Sequence, residues 1–588
     1  MLFDELSQYY VKLEETSSRL EMVDILSDMF SRAVPEEISS IIYITQGVLG
    51  PSFEGLQVGV AEKFAESAIA MASGYHAEDV VKAFRKSGDL GLCAEEFIKK
   101  SKLRSLSKKQ LSVVDIFRSM LKIANTSGTG SQAGKIKILV EMLTSSSPIE
   151  SRYIIRFALG KLRLGAGDAT IIEALSKTYA GSRNSKPIFE NAYNICSDLG
   201  KVGETASKSG VIGVGKIRVT LFSPIRPALA ERLPTAENIL EKMGGKCAVE
   251  SKYDGLRAQV HMSRGGRRAR IFSRNLEDIT EMFPDICKAA FSEIKADSII
   301  LEGEAISYDD ITGEFRPFQE TIQRKRKHGV QEKSEELPVH LFAFDLMYID
   351  GEDLMAKPYE ERRKRLESAV SGAGLIRFSN RIIATSAKQI EEYFNNAVEQ
   401  GLEGIVAKDM GSVYVAGARK FSWIKLKRSY RGELSDTLDL VILGYYLGKG
   451  QRTEFGLGGL LAGVYNESKD TFETVSKIGT GFSEKQMSSL GKSLRAIRLT
   501  KMPARVESVV APDFWVEPKY IVTVRADEIT RSPMHTCGKT QQSDAGYALR
   551  FPRLVSDGIR TDKSAEDATT TKEIIEMFNL QRKIRVSK

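Results

Sequence analysis

Cysteine, tryptophan and long hydrophobic runs are scarce in this sequence. Of 588 residues only five are cysteine and two are tryptophan. The cysteines are scattered and form no Cys-x-x-Cys pair, which argues against a structural zinc site or a disulfide framework and fits a reducing compartment. No apolar run approaches the roughly 20 residues that span a bilayer, and the first residues lack the basic and apolar regions of a signal peptide. We therefore expect a cytoplasmic protein.

A strong excess of one charge is also missing. The 85 lysines and arginines stand against 77 aspartates and glutamates, giving a formal net charge of +8. This modest basic bias is compatible with a polyanionic partner without establishing one. A chain of 588 residues is too long for a single core and suggests roughly three or four domains.

Residues 1–215 show the hydrophobic periodicity of helices. Apolar side chains recur at helical spacing, for example at Leu111, Val114, Phe117 and Leu121, which places them on one helical face. Glycine-containing breaks separate these segments. We predict an all-α N-terminal domain and assign nearly all of its apolar positions to core packing.

Two polar features of this region are candidates for binding phosphate groups. The loop that contains Thr126, Gly128 and Gly130 leads into a predicted helix, and N–H groups at a helix N-terminus suit a phosphate, although such loops are more often simple caps. A basic cluster follows, with members at Arg152, Lys161 and Arg163. The cluster is either a solvated charged face, the usual case, or a surface that follows a phosphate backbone.

The rest of the chain divides into two further regions. Between 216 and 430 predicted strands such as Gly404–Lys408 alternate with predicted helices such as Ala387–Gln400, which indicates an α+β domain. Beyond 431 the apolar runs shorten and are interrupted by one predicted helix, Ser483–Ile497. Short strands with a single helix suggest a small OB-type β-barrel. We therefore place domains at 1–215, 216–430 and 431–588.

One stretch of the middle domain combines a lysine with acidic and basic neighbours. From Glu250 to Arg257 the sequence reads Glu-Ser-Lys-Tyr-Asp-Gly-Leu-Arg, with Lys252 near a predicted turn between strands. If neighbouring cations and partial burial disfavour its protonated form, the Lys252 amine becomes a nucleophile. The alternative is an exposed hairpin lysine paired with Asp254.

Further charged side chains accompany predicted strands of this domain. Glu304 and Glu403 suit a hard divalent ion. Basic residues that suit phosphate oxygens are Arg257, Arg274, Lys408, Lys425 and Lys427. Each segment alone is more often a strand with one solvent-exposed face. Together with Lys252, however, they describe nucleotidyl transfer through a phosphoramidate.

These motifs resemble those of a known family. Lys252-Tyr253-Asp254-Gly255 looks like the Lys-x-Asp-Gly nucleophile motif of covalent nucleotidyltransferases, which include ATP-dependent DNA ligases, RNA ligases and mRNA capping enzymes. The other segments resemble further motifs of that group, in the same order. The whole chain is similar to ATP-dependent DNA ligases of the replicative type of archaea and eukaryotes, as are its stretches Lys477–Phe482 and Arg560–Thr569.

The resemblance implies a fold, an activity and cofactors. The architecture would be an all-α DNA-binding domain, an α+β nucleotidyltransferase domain (ATP-grasp-like) and a C-terminal OB-fold β-barrel. The enzyme would seal nicks in duplex DNA through a lysyl-AMP intermediate, in replication, repair and recombination. ATP and Mg²⁺, with Mn²⁺ as a substitute, would be its cofactors. Nicked double-stranded DNA would be the partner of a cytoplasmic, nucleoid-associated monomer.

The resemblance also implies roles for individual residues. Glu250 would lie in the adenine pocket, Phe344 would stack on the ring, and Arg550 and Arg553 would orient the pyrophosphate from the last domain with Lys563 nearby. The implied nucleotide-binding residues are Glu250, Arg257, Arg274, Glu304, Phe344, Lys408, Arg419, Trp423, Lys425, Lys427, Arg550 and Arg553. The implied metal ligands are Glu304 and Glu403. The implied DNA contacts are Thr126, Gly128, Gly130, Arg152, Lys161 and Arg163.

Several alternatives stay open at this stage. An RNA ligase or capping enzyme is disfavoured by the large helical domain and by the Arg560–Thr569 tail, and a non-catalytic scaffold has no need of the nucleophile and the carboxylates together. ADP, GTP or NAD could replace ATP as the donor. The family's sliding-clamp motif is degenerate here, because the region near Leu103–Leu106 lacks its aromatic residues. A last domain that closes for adenylation and opens for DNA would need a hinge near Ser429–Leu434.

Overall fold

The computed structural model describes residues 1–101, 110–128, 130–181, 183–308, 315, 339–400, 402–427, 437–447, 457–526, 528–540, 543, 545–555 and 559–586. Three predicted features lie outside these residues: the clamp-motif region near Leu103–Leu106, the hinge near Ser429–Leu434 and the boundary between 430 and 431. In the described ranges, no helix has the length and apolar character needed to cross a membrane.

Helices build the N-terminal region, and their apolar faces share one core. They are α1 (Phe3–Glu15), α2 (Arg19–Ser31), α3 (Ile38–Gln46), α4 (Glu62–Ser73), α5 (Ala77–Ser87), α6 (Leu90–Lys99), α7 (Val113–Ala124), α8 (Ser131–Ser145), α9 (Pro148–Ala158), α10 (Asp168–Ala180), α11 (Lys186–Cys196) and α12 (Leu199–Val214). The all-α prediction for this region is confirmed.

Helix α7 buries a face one residue away from the predicted one. Its fully buried side chains are Val113, Ile116, Met120 and Ile123, whereas the predicted stripe at Val114, Phe117 and Leu121 is only partly buried. The apolar surface of α7 is wider than one stripe, and packing against its neighbours decides which part is covered; the Phe117 ring, for example, stacks on Tyr43 of α3 at 6.0 Å.

The middle region holds two sheets flanked by helices. Its elements are β1 (Leu229–Arg232), α13 (Ala236–Lys242), β2 (Cys247–Lys252), β3 (Leu256–Ser263), β4 (Arg268–Ser273), α14 (Pro284–Glu293), β5 (Ser298–Ser307), β6 (Val339–Ile349), β7 (Glu352–Asp353), α15 (Tyr359–Ala369), β8 (Ile376–Phe378), β9 (Arg381–Ala384), α16 (Ala387–Glu399), β10 (Gly404–Lys408) and β11 (Arg419–Lys427). One sheet has the order β1-β11-β10-β2-β9 and the other β4-β3-β5-β6-β7, with β8 beside β6.

The chain crosses from the first sheet to the second immediately after Lys252. Strand β2 belongs to one sheet and β3 to the other, so residues 253–255 join them. Gly255 passes so close to β5 that a Cβ there would lie 2.6 Å from the carbonyl oxygen of Ala305. Only glycine fits this crossing, and the crossing places Lys252 between the two sheets.

In its described residues, the C-terminal region is a barrel with two helices. Its elements are β12 (Thr437–Tyr446), β13 (Gly459–Asn466), β14 (Thr471–Ile478), α17 (Glu484–Ala496), β15 (Arg498–Leu499), β16 (Val506–Glu507), β17 (Phe514–Val516), β18 (Ile521–Arg525), β19 (Glu528–Ser532), β20 (Gly546–Arg550), β21 (Arg553–Leu554) and α18 (Thr571–Val586). The prediction of a single helix was wrong, because α18 also forms and buries Ile574 and Met577 in the barrel core.

Candidate active site

A cleft of about 880 Å³ opens where the two sheets meet. Strands β2, β10 and β11 line one side, β3 to β6 line the other, and the C-terminal region covers it with residues that include Asp439 and Lys563. We call this space the central cleft. The predicted residues that line it are Glu250, Lys252, Arg257, Arg274, Glu304, Phe344, Glu403, Lys408, Arg419, Trp423, Lys425 and Lys427.

Lys252 contacts a carboxylate inside this cleft. Its ammonium donates to Glu403, which precedes β10, and the pairing of Lys252 with Gly404 across β2 and β10 brings the two together over 151 residues of sequence. The other oxygen of Glu403 pairs with Lys427. Burial opposes the charge of Glu403, but both lysines outweigh it and hold the pKa of Glu403 far below its usual range. The 25 % exposed Lys252 side chain is therefore held in the cleft by Glu403, unlike an exposed hairpin lysine paired with Asp254.

Glu304 is the second carboxylate predicted to position a metal. It lies on β5 opposite Arg257 of β3. Burial raises the pKa of Glu304 to about 7; Lys252 and Arg257 oppose the rise, and Glu403 adds to it. In the described parts of the chain no group of three or more His, Cys, Asp or Glu side chains could hold a metal. Mg²⁺ commonly takes one or two protein carboxylates and completes its shell with phosphate oxygens and water, so Glu304 and Glu403 fit an ion that arrives with a polyphosphate.

Arg257 and Arg274 offer unused hydrogen-bond donors. Arg257 donates from Nη1 to the Ala228 carbonyl at 2.7 Å and from Nη2 to Glu302 at 2.8 Å, and Arg274 donates from Nη2 to Asp567 at 3.1 Å. The Nε of both arginines is buried and lacks a partner in the part of the chain that the structure describes. An unsatisfied buried donor costs about 1–3 kcal/mol. A ligand with oxygen acceptors, such as ribose or phosphate, would remove this cost.

Glu250, two residues before Lys252 on β2, lines the cleft close to aromatic side chains. It is 2 % exposed, and Lys408 Nζ lies 2.9 Å from its Oε2. The same Nζ donates to the Phe344 carbonyl at 3.0 Å and lies 4.3 Å from the centroid of the Trp423 ring. Flat apolar surfaces beside a carboxylate suit a planar heterocycle that carries an amino group.

The C-terminal region covers the cleft with acidic side chains. Glu573, in the first turn of α18, lies 3.2 Å from Arg419 and 3.3 Å from Lys425, and Asp567 pairs with Arg274. Burial lowers the pKa of Lys425 to about 7, opposed by Glu573 and reinforced by positive neighbours such as Lys427. In this conformation carboxylates thus neutralise basic residues that were predicted to bind phosphate.

Arg550 and Arg553, predicted to orient the pyrophosphate, do not line the central cleft in this conformation. Arg550 ends β20 and is exposed, with its Nε 3.6 Å from Glu528, and Arg553 lines a separate small pocket. Instead Arg560 and Lys563 line the cleft, where Lys563 pairs with Asp439. The β19–β20 pairing ends at Arg550, away from the cleft. The sequence around Arg550 and Arg553 does not show in which direction this strand end lies.

The predicted DNA-contacting residues behave in two ways. The basic side chains pair with acids: Arg152 with Glu95, Lys161 with Glu62 at 3.0 Å, and Arg163 with Asp89 at 3.1 Å. Gly128 and Gly130 have left-handed φ values of +85° and +82°, and no atom of the described residues lies within 4 Å of where a Cβ would stand. The Thr126 hydroxyl donates to the Lys122 carbonyl at 2.7 Å. The glycine loop is therefore the more open of the two candidate phosphate sites.

The sequence reasoning missed Glu573 and Tyr359. A signal for Glu573 was present, since Thr570 and Glu573 have the spacing of a capping box and do cap α18 reciprocally, at 2.9 and 3.2 Å. The sequence around Tyr359, whose hydroxyl donates to Glu250, carries no mark of its role.

A lysine held between two sheets, inside a cleft lined with acids and bases, lies in the middle of a chain whose N-terminal region is helical and whose C-terminal region is rich in strands. This is the architecture of a nucleotidyltransferase-type ligase. Family models match the chain along most of its length: DNA ligase N terminus at residues 2–176, ATP dependent DNA ligase domain at 227–427 and ATP dependent DNA ligase C terminal region at 453–563. The chain belongs to the family of ATP-dependent DNA ligases and is an enzyme.

Individual relatives agree with the family assignment. The chain is 47% identical over 586 residues to the probable DNA ligase of Dictyoglomus turgidum, and the alignment covers 100% of this chain and 99% of that protein. It is 40% identical over 597 residues to the DNA ligase of Sulfolobus acidocaldarius, and the alignment covers 100% of this chain and 99% of that protein. Among solved structures, mycobacterial DNA ligase D complexed with ATP and MES matches 58% of this chain and 97% of its own, with 25% identity and a TM-score of 0.33.

Proposed function

We propose that this chain seals nicks in double-stranded DNA through three successive transfers that begin at Lys252. The observation that carries the proposal is the placement of Lys252 against Glu403 in a cleft that Lys425, Arg257 and Arg274 also line. A candidate nucleophile, basic side chains that suit phosphate and carboxylates that suit a hard cation thus line the same cleft.

The three steps use the cleft in turn. First, the Lys252 ammonium gives up a proton to solvent, and the resulting amine bonds to the α-phosphorus of ATP. The bond to the bridging oxygen breaks, pyrophosphate leaves, and the nitrogen loses a second proton to solvent. Second, an oxygen of the DNA 5′-phosphate attacks that phosphorus, the N–P bond breaks, and the nitrogen takes up protons from solvent, which regenerates the lysine. Third, the 3′-hydroxyl attacks the DNA 5′-phosphorus, its proton is lost to solvent, and AMP leaves.

The side chains of the cleft divide the work by their chemistry. Lys425, Lys427 and Arg419 hold the α-phosphate, and the Nε groups of Arg257 and Arg274 receive ribose or phosphate oxygens. Mg²⁺ or Mn²⁺ on Glu304 and Glu403 would supply positive charge that neutralises the transferring phosphate. The carboxylate of Glu250 and the rings of Phe344 and Trp423 hold adenine, while Lys408 orients that carboxylate. Arg560 and Lys563, which line the cleft, contact the pyrophosphate in place of Arg550 and Arg553.

The proposal is tested with α-labelled ATP, ADP, GTP and NAD and a 5′-labelled nicked duplex. With ATP and Mg²⁺ we expect a denaturation-resistant AMP adduct that is chased into DNA adenylate and then into a sealed strand, and a chelator should abolish the adduct. DNA binding without an adduct from any donor would indicate the non-catalytic scaffold. Sealing of nicked RNA but not DNA would indicate an RNA ligase.

A further expectation concerns Glu573. Because its carboxylate occupies Arg419 and Lys425, Glu573→Gln should lower the ATP concentration for half-maximal adduct formation by roughly three- to tenfold. Glutamine keeps the helix cap, so α18 should still form. The measurement is initial adduct rate against ATP concentration. Glu484→Gln, at the start of α17, is the matched control; equal half-saturation in all three proteins would show that Glu573 does not compete with ATP.

DNA binding by the helical domain gives another expectation. Replacing both Arg152 and Lys161 with alanine should weaken binding of nicked DNA and reduce the slope of log Kd against log salt by at most about 2, without changing adduct formation. We expect a reduction smaller than this limit, because each residue already pairs with a carboxylate. Binding is measured by anisotropy over a salt series, with Lys208→Ala as control. An unchanged slope of log Kd against log salt would indicate that Arg152 and Lys161 form a solvated charged face and do not contact DNA.

We further propose that the enzyme works as a cytoplasmic monomer on nucleoid DNA, in replication, repair and recombination. The support is that the described residues of one chain line both sides of the central cleft and its C-terminal cover. Sedimentation of the protein with and without nicked DNA tests the monomer. Sliding-clamp binding stays a prediction from the sequence, since its region lies outside the described residues.

A further inference from the structure

Tyr359 contacts Glu250 from the protein interior. Its hydroxyl donates a hydrogen bond to Oε1 of Glu250, although the two residues are 109 positions apart. Tyr359 is fully buried at the start of α15. Of the two residues only Glu250 lines the central cleft. Tyr359 is therefore placed to orient the carboxylate without touching a ligand in the cleft.

The second oxygen of Glu250 is held by a group that Tyr359 also contacts. Lys408 Nζ lies 2.9 Å from Oε2 and 4.9 Å from the centroid of the Tyr359 ring. Arg363 Nη1 lies 3.5 Å from Oε1. A carboxylate has about four lone-pair sites, so these contacts fix its orientation and leave capacity for a donor from the cleft.

Tyr359 is itself firmly placed. Its backbone N–H donates to the Ser412 carbonyl at 2.8 Å. In the same helical turn Arg362 pairs with the buried Asp345 at 2.7 Å. Burial, and then the charge of Glu250, raise the pKa of Tyr359 well above its ordinary value, so its hydroxyl stays a donor at neutral pH. A rigid donor behind a buried carboxylate limits how that carboxylate can turn.

We infer that Tyr359 is a positioning residue for base selection, which aims the free lone pairs of Glu250 at the exocyclic amino group of adenine. The inference rests on the proposed function, in which Glu250 lies beside the base. Adenine offers an amino donor at the position where guanine offers a carbonyl acceptor. An oriented carboxylate attracts the amino group of adenine and repels the carbonyl of guanine. A carboxylate that is free to turn discriminates less between the two bases.

Tyr359→Phe removes the hydroxyl and keeps the ring. The rate of adduct formation is measured against the concentrations of ATP and of GTP, together with the melting temperature. We expect KM for ATP to rise roughly tenfold, the maximal rate to change by less than about twofold, and the preference for ATP over GTP to fall by a similar factor of about ten. A merely structural role would lower the melting temperature without changing the preference.

A matched control and a second variant test the same contact. Tyr393→Phe removes a hydroxyl that donates to the Asn380 carbonyl at 2.8 Å and lies 3.1 Å from Ser251 Oγ, next to Glu250; it should leave KM and the preference unchanged. Glu250→Gln should itself lose the preference for ATP, and adding Tyr359→Phe to it should change the preference no further.

The outcomes separate this inference from the proposed function. Tyr359→Phe with an unchanged KM for ATP and an unchanged preference for ATP over GTP would overturn the inference. Glu250→Gln with an unchanged preference would also overturn it, and this second result does not require the tyrosine variant to fold. An equal effect of Tyr393→Phe would also overturn it. Wild-type protein that forms no adduct with any nucleotide would instead be a failure of the proposed function.

Discussion

Lys252→Arg is expected to abolish the covalent AMP adduct, with a loss of at least about 10³-fold. Arginine keeps the positive charge and can still pair with Glu403, which Lys252 contacts, so the cleft should stay assembled. A guanidinium does not lose its proton in proteins and provides no amine nucleophile. The measurement is denaturing electrophoresis after incubation with α-labelled ATP and Mg²⁺.

Two controls separate loss of the nucleophile from loss of the fold. Lys246→Arg changes an exposed lysine just before β2 and should form the adduct at the wild-type rate. Lys252→Arg should still seal DNA that already carries a 5′-adenylate, because the third step needs no lysine nucleophile. A full adduct in Lys252→Arg would place the nucleophile at another residue.

Lys425→Met is expected to slow adduct formation by about 10²–10³-fold, the usual cost of removing one donor that stabilises developing charge. The effect should fall mainly on the maximal rate, because charge on the transferring phosphate is greatest in the transition state. Lys420→Met, at an exposed position of the same strand β11, is the matched control. Equal rates in the two variants would remove Lys425 from the phosphate site.

The titration of Lys425 supplies an independent readout of the same role. Burial lowers its pKa to about 7, so in the closed protein the charged form is lost as the pH rises through that value. A bound triphosphate favours the charged form again. Wild-type protein should therefore take up about one proton at pH 8 on binding a non-reactive ATP analogue, measured by calorimetry in buffers of different ionisation enthalpy. Lys425→Met should take up none.

Local sequence predicted most elements because periodicity and turn signals act between near neighbours. Strand β10 has the predicted bounds Gly404–Lys408, and helix α16 ends at Glu399, one residue before the predicted end. Helix α7 has an apolar surface too wide for its buried face to be chosen without a partner to pack against. Helix α18 was missed although its capping box at Thr570 and Glu573 was readable.

The members of the candidate site were easier to predict than their pairings. Lys425 and Lys427 were both predicted to bind phosphate and both line the cleft, because side chains two apart in a strand point the same way. That Lys427 pairs with Glu403 while Lys425 pairs with Glu573 depends on sheet register and on where the C-terminal domain closes. The departure of Arg550 from the cleft has the same origin.

By itself the sequence determined the family, the order of its domains and the stretch around Lys252, because these depend on residue types at short, regular spacings. Only the tertiary structure decided which acids meet which bases. Glu403 reaches Lys252 across 151 residues and Tyr359 reaches Glu250 across 109. Contacts over such separations follow from packing and register, and these are fixed only when the whole chain has folded.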